Sequence, residues 1–438
     1  MKLPLFLFLL FFSLTSFSQQ FNRQKMDSLF NAIEREDQGM GSVAILKNSE
    51  LIYNKSYGYS DFEKQKKAEA KTIYRIGSIS KTFTATLVML AVEDGSVKLD
   101  DPLANFYPQF PNSKKITIEH LLRHQSGLYN FTNSPEYASY MNEPLSKEEV
   151  LRKLMTGGFN FAPGEKLEYS NTGYVLLSYI LEDIYKKPYE QILTDKITRP
   201  LKLDKIKFGH SINAKAGEAY SYQKQKQWEK LPETYTGIPM GAGAVVSNAE
   251  QLSKFFNALF SGKIVSDSSL QKMKQLENNV GIGLFPIPFG NKMALGHNGG
   301  IDGFQSVSVY FPEENISFTI LHNAVAYPIN SILIGMLSIY FNIPYKIPSF
   351  KAVEVSAEEL EALTGIYSSE SFPLKITISA EGNQLMAQAT GQPSFPLTAE
   401  TKKVFKFDAA GLKITFNPEE EELQLEQMNK VFILTKEK

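Results

Sequence analysis

The sequence predicts an α+β protein: an antiparallel β-sheet flanked by helices, with an all-α insertion in the middle of the chain, and a small all-β domain after it. Three patterns point there. Strand-like runs with turn residues between them occur near the N-terminus and return as a meander around residues 293–321, with helical periodicity between the two. Sheet strands contributed from both ends of a helical stretch suit an antiparallel sheet with helices packed against it. Beyond a proline-, lysine- and serine-rich stretch at Pro344–Ala352, Ser356-Ala-Glu-Glu359 caps a short helix and only short strands follow it. The 438 residues allow two domains, each large enough for its own core.

Taken in order, the chain opens on a targeting segment. Lys2 precedes an apolar run from Leu3 to Phe12, broken only by Pro4, and Ser16-Phe17-Ser18 supplies small residues for cleavage. The run is shorter than the ~20 residues that span a bilayer. Residues 1–18 are therefore expected to be a cleaved signal peptide and the mature protein to be periplasmic or secreted. Phe21–Glu36 carries Met26, Phe30 and Ile33 on one helical face. Val43–Leu46 and Leu51–Tyr53 form a hairpin about a Lys-Asn-Ser-Glu turn.

A strongly apolar helix follows, with Ile79, Phe83, Leu87 and Leu90 at helical spacing and Gly95 as its stop. Ile118–Arg123 is a short helix, Phe161–Gly164 a loop, and Thr172 to about Tyr185 another helix. Ser247-Asn-Ala-Glu250 reads as a capping box for a helix through Phe260. Met293–Gly299, Phe304–Phe311 and Ile316–Leu321 are strands, and Ile332–Ile343 is a buried helix too short to span a membrane. The first domain accordingly runs over residues 19–345. Residues 346–438 hold the linker and the β-rich domain, whose expected strands are 374–378, 385–388, 404–407, 412–416, 422–427 and 431–434.

Composition narrows the function. A formal net charge of −1 argues against a nucleic-acid partner. The absence of cysteine excludes disulfides and thiolate metal sites. No metal or cofactor motif emerges. His120 and His124, four apart, sit beside Leu121 and Leu122, which favours packing over ligation.

Chemistry concentrates at Gly77-Ser78-Ile79-Ser80-Lys81. Ser78 and Lys81 are one helical turn apart, at a helix start where unpaired N–H groups and the positive dipole end meet. An amine there can take the proton of a hydroxyl. Ser-x-x-Lys alone is weak, since it recurs at Ser221 and Ser269, but only Ser78 follows a glycine turn and leads an apolar helix. Tyr169-Ser170-Asn171 lies where a loop becomes a helix, placing a phenol and an amide on one side. Gly296-His297-Asn298-Gly299-Gly300 is a glycine-rich strand end that a ligand can approach closely. One of its N–H groups and that of Ser78 would form a two-donor oxyanion hole.

Ser78-Ile-Ser-Lys81, Tyr169-Ser-Asn171 and His297-Asn-Gly299, in that order, resemble the three motifs of penicillin-recognising serine enzymes. The tyrosine-containing form is similar to class C β-lactamases, secreted DD-peptidases and related esterases, and His120–Leu128 also looks like this group. The likeness covers roughly residues 25 to 345. It implies a β-lactamase/transpeptidase-like fold, with Ser78 as nucleophile and Lys81 as its base. Tyr169 would relay the proton, and Asn171 would orient Lys81 and the substrate. The backbone N–H groups of Ser78 and Gly300 would hold the oxyanion, with His297, Asn298 and Gly299 binding substrate. His297 stands where class C enzymes carry lysine, so carboxylate binding would be weaker or pH-dependent. The expected substrate is a small molecule or peptide, cell-wall derived or not, cleaved at an ester or amide bond: a peptide, a β-lactam or a small ester. A non-turnover penicillin- or peptidoglycan-binding or sensor protein on the same fold is the alternative.

Overall fold

The computed structural model describes residues 21–350, 353–391, 394–407, 411–427 and 430–437; the signal peptide expected at residues 1–18 lies outside the described residues. The first domain is organised on a six-stranded antiparallel sheet. Its N-terminal contribution is α1 (Arg23–Arg35), β1 (Gly39–Lys47) and β2 (Glu50–Tyr57). A helical region follows, containing α2 (Ser80–Glu93), α3 (Asn171–Tyr185) and α4 (Ala249–Phe260). The chain returns to the sheet with β3 (Phe285–Phe289), β4 (Lys292–Ile301), β5 (Phe304–Phe311) and β6 (Ile316–Val325), then closes with α5 (Ile329–Tyr340). The spatial order is β3-β4-β5-β6-β1-β2, so the last strand of the meander pairs with the first strand of the chain, Val43 opposite Ile320.

The period of two along β1 explains how both faces are covered. Val43 and Ile45 point into a core with Met26, Phe30 and Ile33 of α1 and Ile332 and Met336 of α5. Ala44 and Leu46 point the other way, into the larger core that holds α2, α3 and α4. α2 is buried on nearly every side, as an interior helix must be when apolar residues surround it. Phe83 of α2 stacks on Phe255 of α4, with ring centroids 3.7 Å apart. Burial of this helix fixes Ser78, just upstream of it, against the sheet.

One local expectation is corrected, and one strand was not anticipated. The helix α4 is capped by Asn248, whose side chain accepts the N–H of Gln251 at 2.9 Å, and not by Ser247, whose hydroxyl donates to the Asn248 carbonyl. Strand β3 was hidden by Pro286 and Pro288; it lies at the sheet edge, where missing N–H donors leave no ladder bond unmade.

The C-terminal domain is a closed antiparallel barrel of eight strands. These are β7 (Gly365–Ser369), β8 (Phe372–Glu381), β9 (Gln384–Ala389), β10 (Phe395–Ala399), β11 (Val404–Phe407), β12 (Leu412–Asn417), β13 (Glu422–Gln427) and β14 (Lys430–Lys436). Each pairs with the next, and Tyr367 opposite Lys436 closes the ring. Alternating residues such as Ile376 and Ile378, Ile414 and Phe416, and Leu423 and Leu425 fill its own separate core. Closure removes every free sheet edge.

Candidate active site

Ser78 sits on a single 3-10 turn, Gly77–Ile79, between the short strand Tyr74–Arg75 and α2. The turn is pinned from behind: Ile76 N–H donates to the Val245 carbonyl at 3.1 Å, and Ser80 Oγ accepts the Val245 N–H at 3.0 Å. Gly77 has φ +50°, and a Cβ there would lie 2.7 Å from the Gly300 nitrogen. Only glycine meets both demands.

Lys81, one turn into α2, is completely buried. Its Nζ lies 3.0 Å from Ser78 Oγ, 2.7 Å from Asn171 Oδ1 and 2.8 Å from the Ala242 carbonyl. No carboxylate is among these partners, and burial holds the ammonium pKa well below the usual lysine value. The neutral amine has two N–H donors and one lone pair. Asn171 Oδ1 and the Ala242 carbonyl can only accept, so they take both hydrogens. The lone pair is left facing Ser78 Oγ, the arrangement that a base requires.

Tyr169 approaches Ser78 from the other side, with its hydroxyl 2.8 Å from Oγ. Burial pushes the phenol up to about 12, with the Ser78 contact opposing it, so Tyr169 keeps its proton near neutrality and donates to Oγ. The ring of Tyr169 packs on His124, centroids 4.4 Å apart. His124 Nδ1 accepts the Ser170 N–H at 3.2 Å, which fixes the extended approach to α3. Burial keeps the His124 imidazole neutral. His120 instead serves the cap of its own short helix, its Nδ1 accepting the Thr117 N–H at 3.3 Å, so the two histidines do not converge.

Asn171 opens α3. Its Nδ2 donates to Asn130 Oδ1 at 3.2 Å and Thr132 Oγ1 at 3.0 Å, and its backbone N–H donates to the same Asn130 oxygen at 3.0 Å. These bonds fix the amide so that Oδ1 faces Lys81. They also occupy both Nδ2 hydrogens, so the expected second role of Asn171, donating to a substrate, needs one of them released. Sequence reasoning missed Asn130 and Thr132; the only signal was their place just after His124-Gln-Ser-Gly-Leu128.

The fourth wall is β4. Its Gly299 lies so close to the turn that a Cβ would stand 2.1 Å from the Ile76 carbonyl oxygen and 3.0 Å from the Ser78 nitrogen. Ser306 Oγ on β5 donates to the Ile76 carbonyl at 2.8 Å and completes the seam. Ser78 and Gly300 thereby line the same two cavities. One, about 410 Å³, is bounded by Ser78, Tyr169, Phe285, Asn298, Gly299 and Gly300. The other, about 360 Å³, extends past Asn171 and Thr132 to Phe131, Tyr137, Met141, Pro239, Ile301 and Asp302.

His297 does not line either cavity, which corrects its expected place beside Asn298 and Gly299 as a substrate contact. It is 2% exposed, its ring lies edge-on to Phe285, and its Nδ1 sits 2.5 Å from the Asn298 carbonyl. Burial, reinforced by Lys81, lowers its pKa to about 3, so it is neutral at physiological pH. Strand alternation is the reason: Asn298 turns outward and its predecessor inward.

An antiparallel sheet between helical layers, with a serine, a lysine, a tyrosine and an asparagine meeting at its edge, defines a β-lactamase/transpeptidase-like protein. The beta-lactamase family model matches residues 30–328, and the chain belongs to that family. It is 27% identical over 306 residues to the teichoic acid D-alanine hydrolase of Staphylococcus aureus (strain MRSA252), covering 68% of this chain and 72% of that one. The structure of D-amino acid amidase from Ochrobactrum anthropi SV3 is similar with a TM-score of 0.65 and 26% identity, over 73% of this chain and 99% of that one. An octameric penicillin-binding protein homologue from Pyrococcus abyssi shares the fold with a TM-score of 0.69 and 24% identity, over 95% of this chain and 99% of that one. The chain spans only 59% of the length of other curated relatives that it matches.

Proposed function

We propose that this protein is an exported serine hydrolase that cleaves an ester or amide through an acyl-Ser78 intermediate. The observation that carries the reading is the pair of contacts on Ser78 Oγ, 3.0 Å to Lys81 and 2.8 Å to Tyr169. Oγ attacks the carbonyl carbon while its proton passes to the Lys81 lone pair. The oxygen of the tetrahedral intermediate takes hydrogen bonds from the N–H groups of Ser78 and Gly300. Tyr169 gives its proton to the departing alcohol or amine and is reprotonated from Lys81. Water then enters and attacks the acyl carbon as its proton passes to Tyr169, whose own proton moves on to the neutral Lys81 amine, which returns it to the departing Ser78 Oγ. Ser78 leaves as the restored hydroxyl, and the products are an acid and an alcohol or amine.

The names of the relatives, a D-alanine hydrolase and a D-amino acid amidase, favour esters or amides of small amino acids, including cell-wall-derived ones. Export rests on the leader at residues 1–18; among the described residues, no helix is long and apolar enough to cross a membrane. The test is labelling by a fluorophosphonate probe together with turnover of a chromogenic acetyl ester. Fast labelling and steady turnover, both lost in Ser78→Ala, are expected. Labelling with a single stoichiometric burst would mark the non-turnover binding protein instead, and no labelling of the wild type refutes the reading.

A further inference from the structure

We propose that the cleft selects against substrates whose leaving group carries a carboxylate, favouring neutral esters and amides over carboxylate-terminated peptides and β-lactams. The proposal rests on the acyl-serine reading and adds the class of leaving group. Tyr169 lines the 410 Å³ cavity and not the other, so the proton for the departing atom arrives from that side. The leaving group therefore occupies the space between Tyr169, Phe285 and Asn298, and the acyl group the space beyond Asn171.

Among the described residues, no lysine, arginine or histidine lines the leaving-group cavity. The basic side chains nearby are neutral or committed elsewhere, His124 being neutral and packed against Tyr169 and Phe285. Lys81 is spent on Ser78, Asn171 and the Ala242 carbonyl. His297 is turned inward beneath Asn298, against Phe285. Arg75, 4% exposed, is held by the carboxylates of Asp302 at 2.9 Å and Glu233 at 3.3 Å and by the carbonyls of Thr234 and His210. A carboxylate entering the cleft thus sheds water and meets only neutral dipoles, which opposes its binding. Asn298 is the position where one side chain changes this, because it is exposed and on the cavity wall.

The experiment compares two activated esters that differ in one group, the acetyl esters of 3-hydroxybenzoate and 3-hydroxybenzamide, by kcat/KM at low ionic strength. The wild type is expected to prefer the amide-bearing leaving group by at least roughly tenfold, beyond the ratio for hydroxide-catalysed hydrolysis. Asn298→Lys should shrink that preference by about tenfold, while Asn298→Gln keeps it. The ratio cancels any general loss of activity. Equal rates on the two esters in the wild type overturn the proposal, as does a preference that Asn298→Lys leaves intact. Absence of Ser78-dependent cleavage of both esters would instead overturn the acyl-serine reading beneath it.

Discussion

Replacing Asn130 by aspartate probes the electrostatics of Lys81 without touching it. Asn130 Oδ1 accepts Asn171 Nδ2 at 3.2 Å, and Asn171 Oδ1 stands 2.7 Å from Lys81 Nζ. A carboxylate at this position can accept the same two N–H groups of Asn171. Its other oxygen faces Asn133 Oδ1, which the present amide reaches at 3.2 Å, and a flip of the Asn133 amide restores that bond. The new charge lies two hydrogen bonds and one amide width from Nζ, on the order of 7 Å. The hydrogen-bond and ring neighbours of Lys81, namely Ser78, Asn171, Ala242, Tyr169 and Tyr174, are all uncharged, and His124 and His297 are neutral. Across about 7 Å at an effective dielectric constant near 20, the attraction is about 2 kcal/mol. That stabilises the ammonium and raises the Lys81 pKa by roughly one to two units. Because a lysine can act as a base only when neutral, the acid limb of kcat/KM against pH should move up by the same amount. Activity near neutrality falls by roughly ten- to fiftyfold and returns at high pH. Asn130→Ala removes the orienting bonds and adds no charge, so it lowers the plateau while shifting the limb much less. An acid limb that stays put, or moves down, in a folded Asn130→Asp protein would refute the assignment of Lys81 as the base.

Other substitutions test separate parts of the site. Tyr169→Phe keeps the ring against His124 and removes the proton; kcat/KM for an ester should fall by about 10²–10⁴-fold while the melting temperature changes little. Gly77→Ala forces a Cβ to within 2.7 Å of the Gly300 nitrogen at a positive φ, so a loss of at least ~1 kcal/mol in urea unfolding should accompany loss of activity. Arg75→Ala leaves the fully buried Asp302 carboxylate without its cation, and thermal and chemical unfolding should register about 3 kcal/mol of destabilisation.

Much of the candidate site was legible because its residues sit at secondary-structure boundaries. Gly77 before an apolar helix marked Ser78 and Lys81, and Tyr169–Asn171 stood at a loop-to-helix transition. The structure links these four side chains in one hydrogen-bonded chain, Tyr169 to Ser78 to Lys81 to Asn171. What escaped was set by neighbours remote in sequence. His297 lies in a glycine-rich strand that looks open on both sides, yet Phe285, from a strand disguised by two prolines, covers its ring. Asn130 has no motif of its own; its role exists only because α3 begins beside it. Six of the barrel's eight strands were legible as short strands of an all-β domain. Pro396 obscured β10, and β7 is five residues directly after a short helix.

The most direct test is to mix the protein with an activated ester, quench in acid within the pre-steady state, and map the adduct by mass spectrometry. An acyl group on the peptide containing Ser78, forming and decaying at rates that account for turnover, is the predicted result. Turnover with no adduct, or with one on any other residue, would contradict the account.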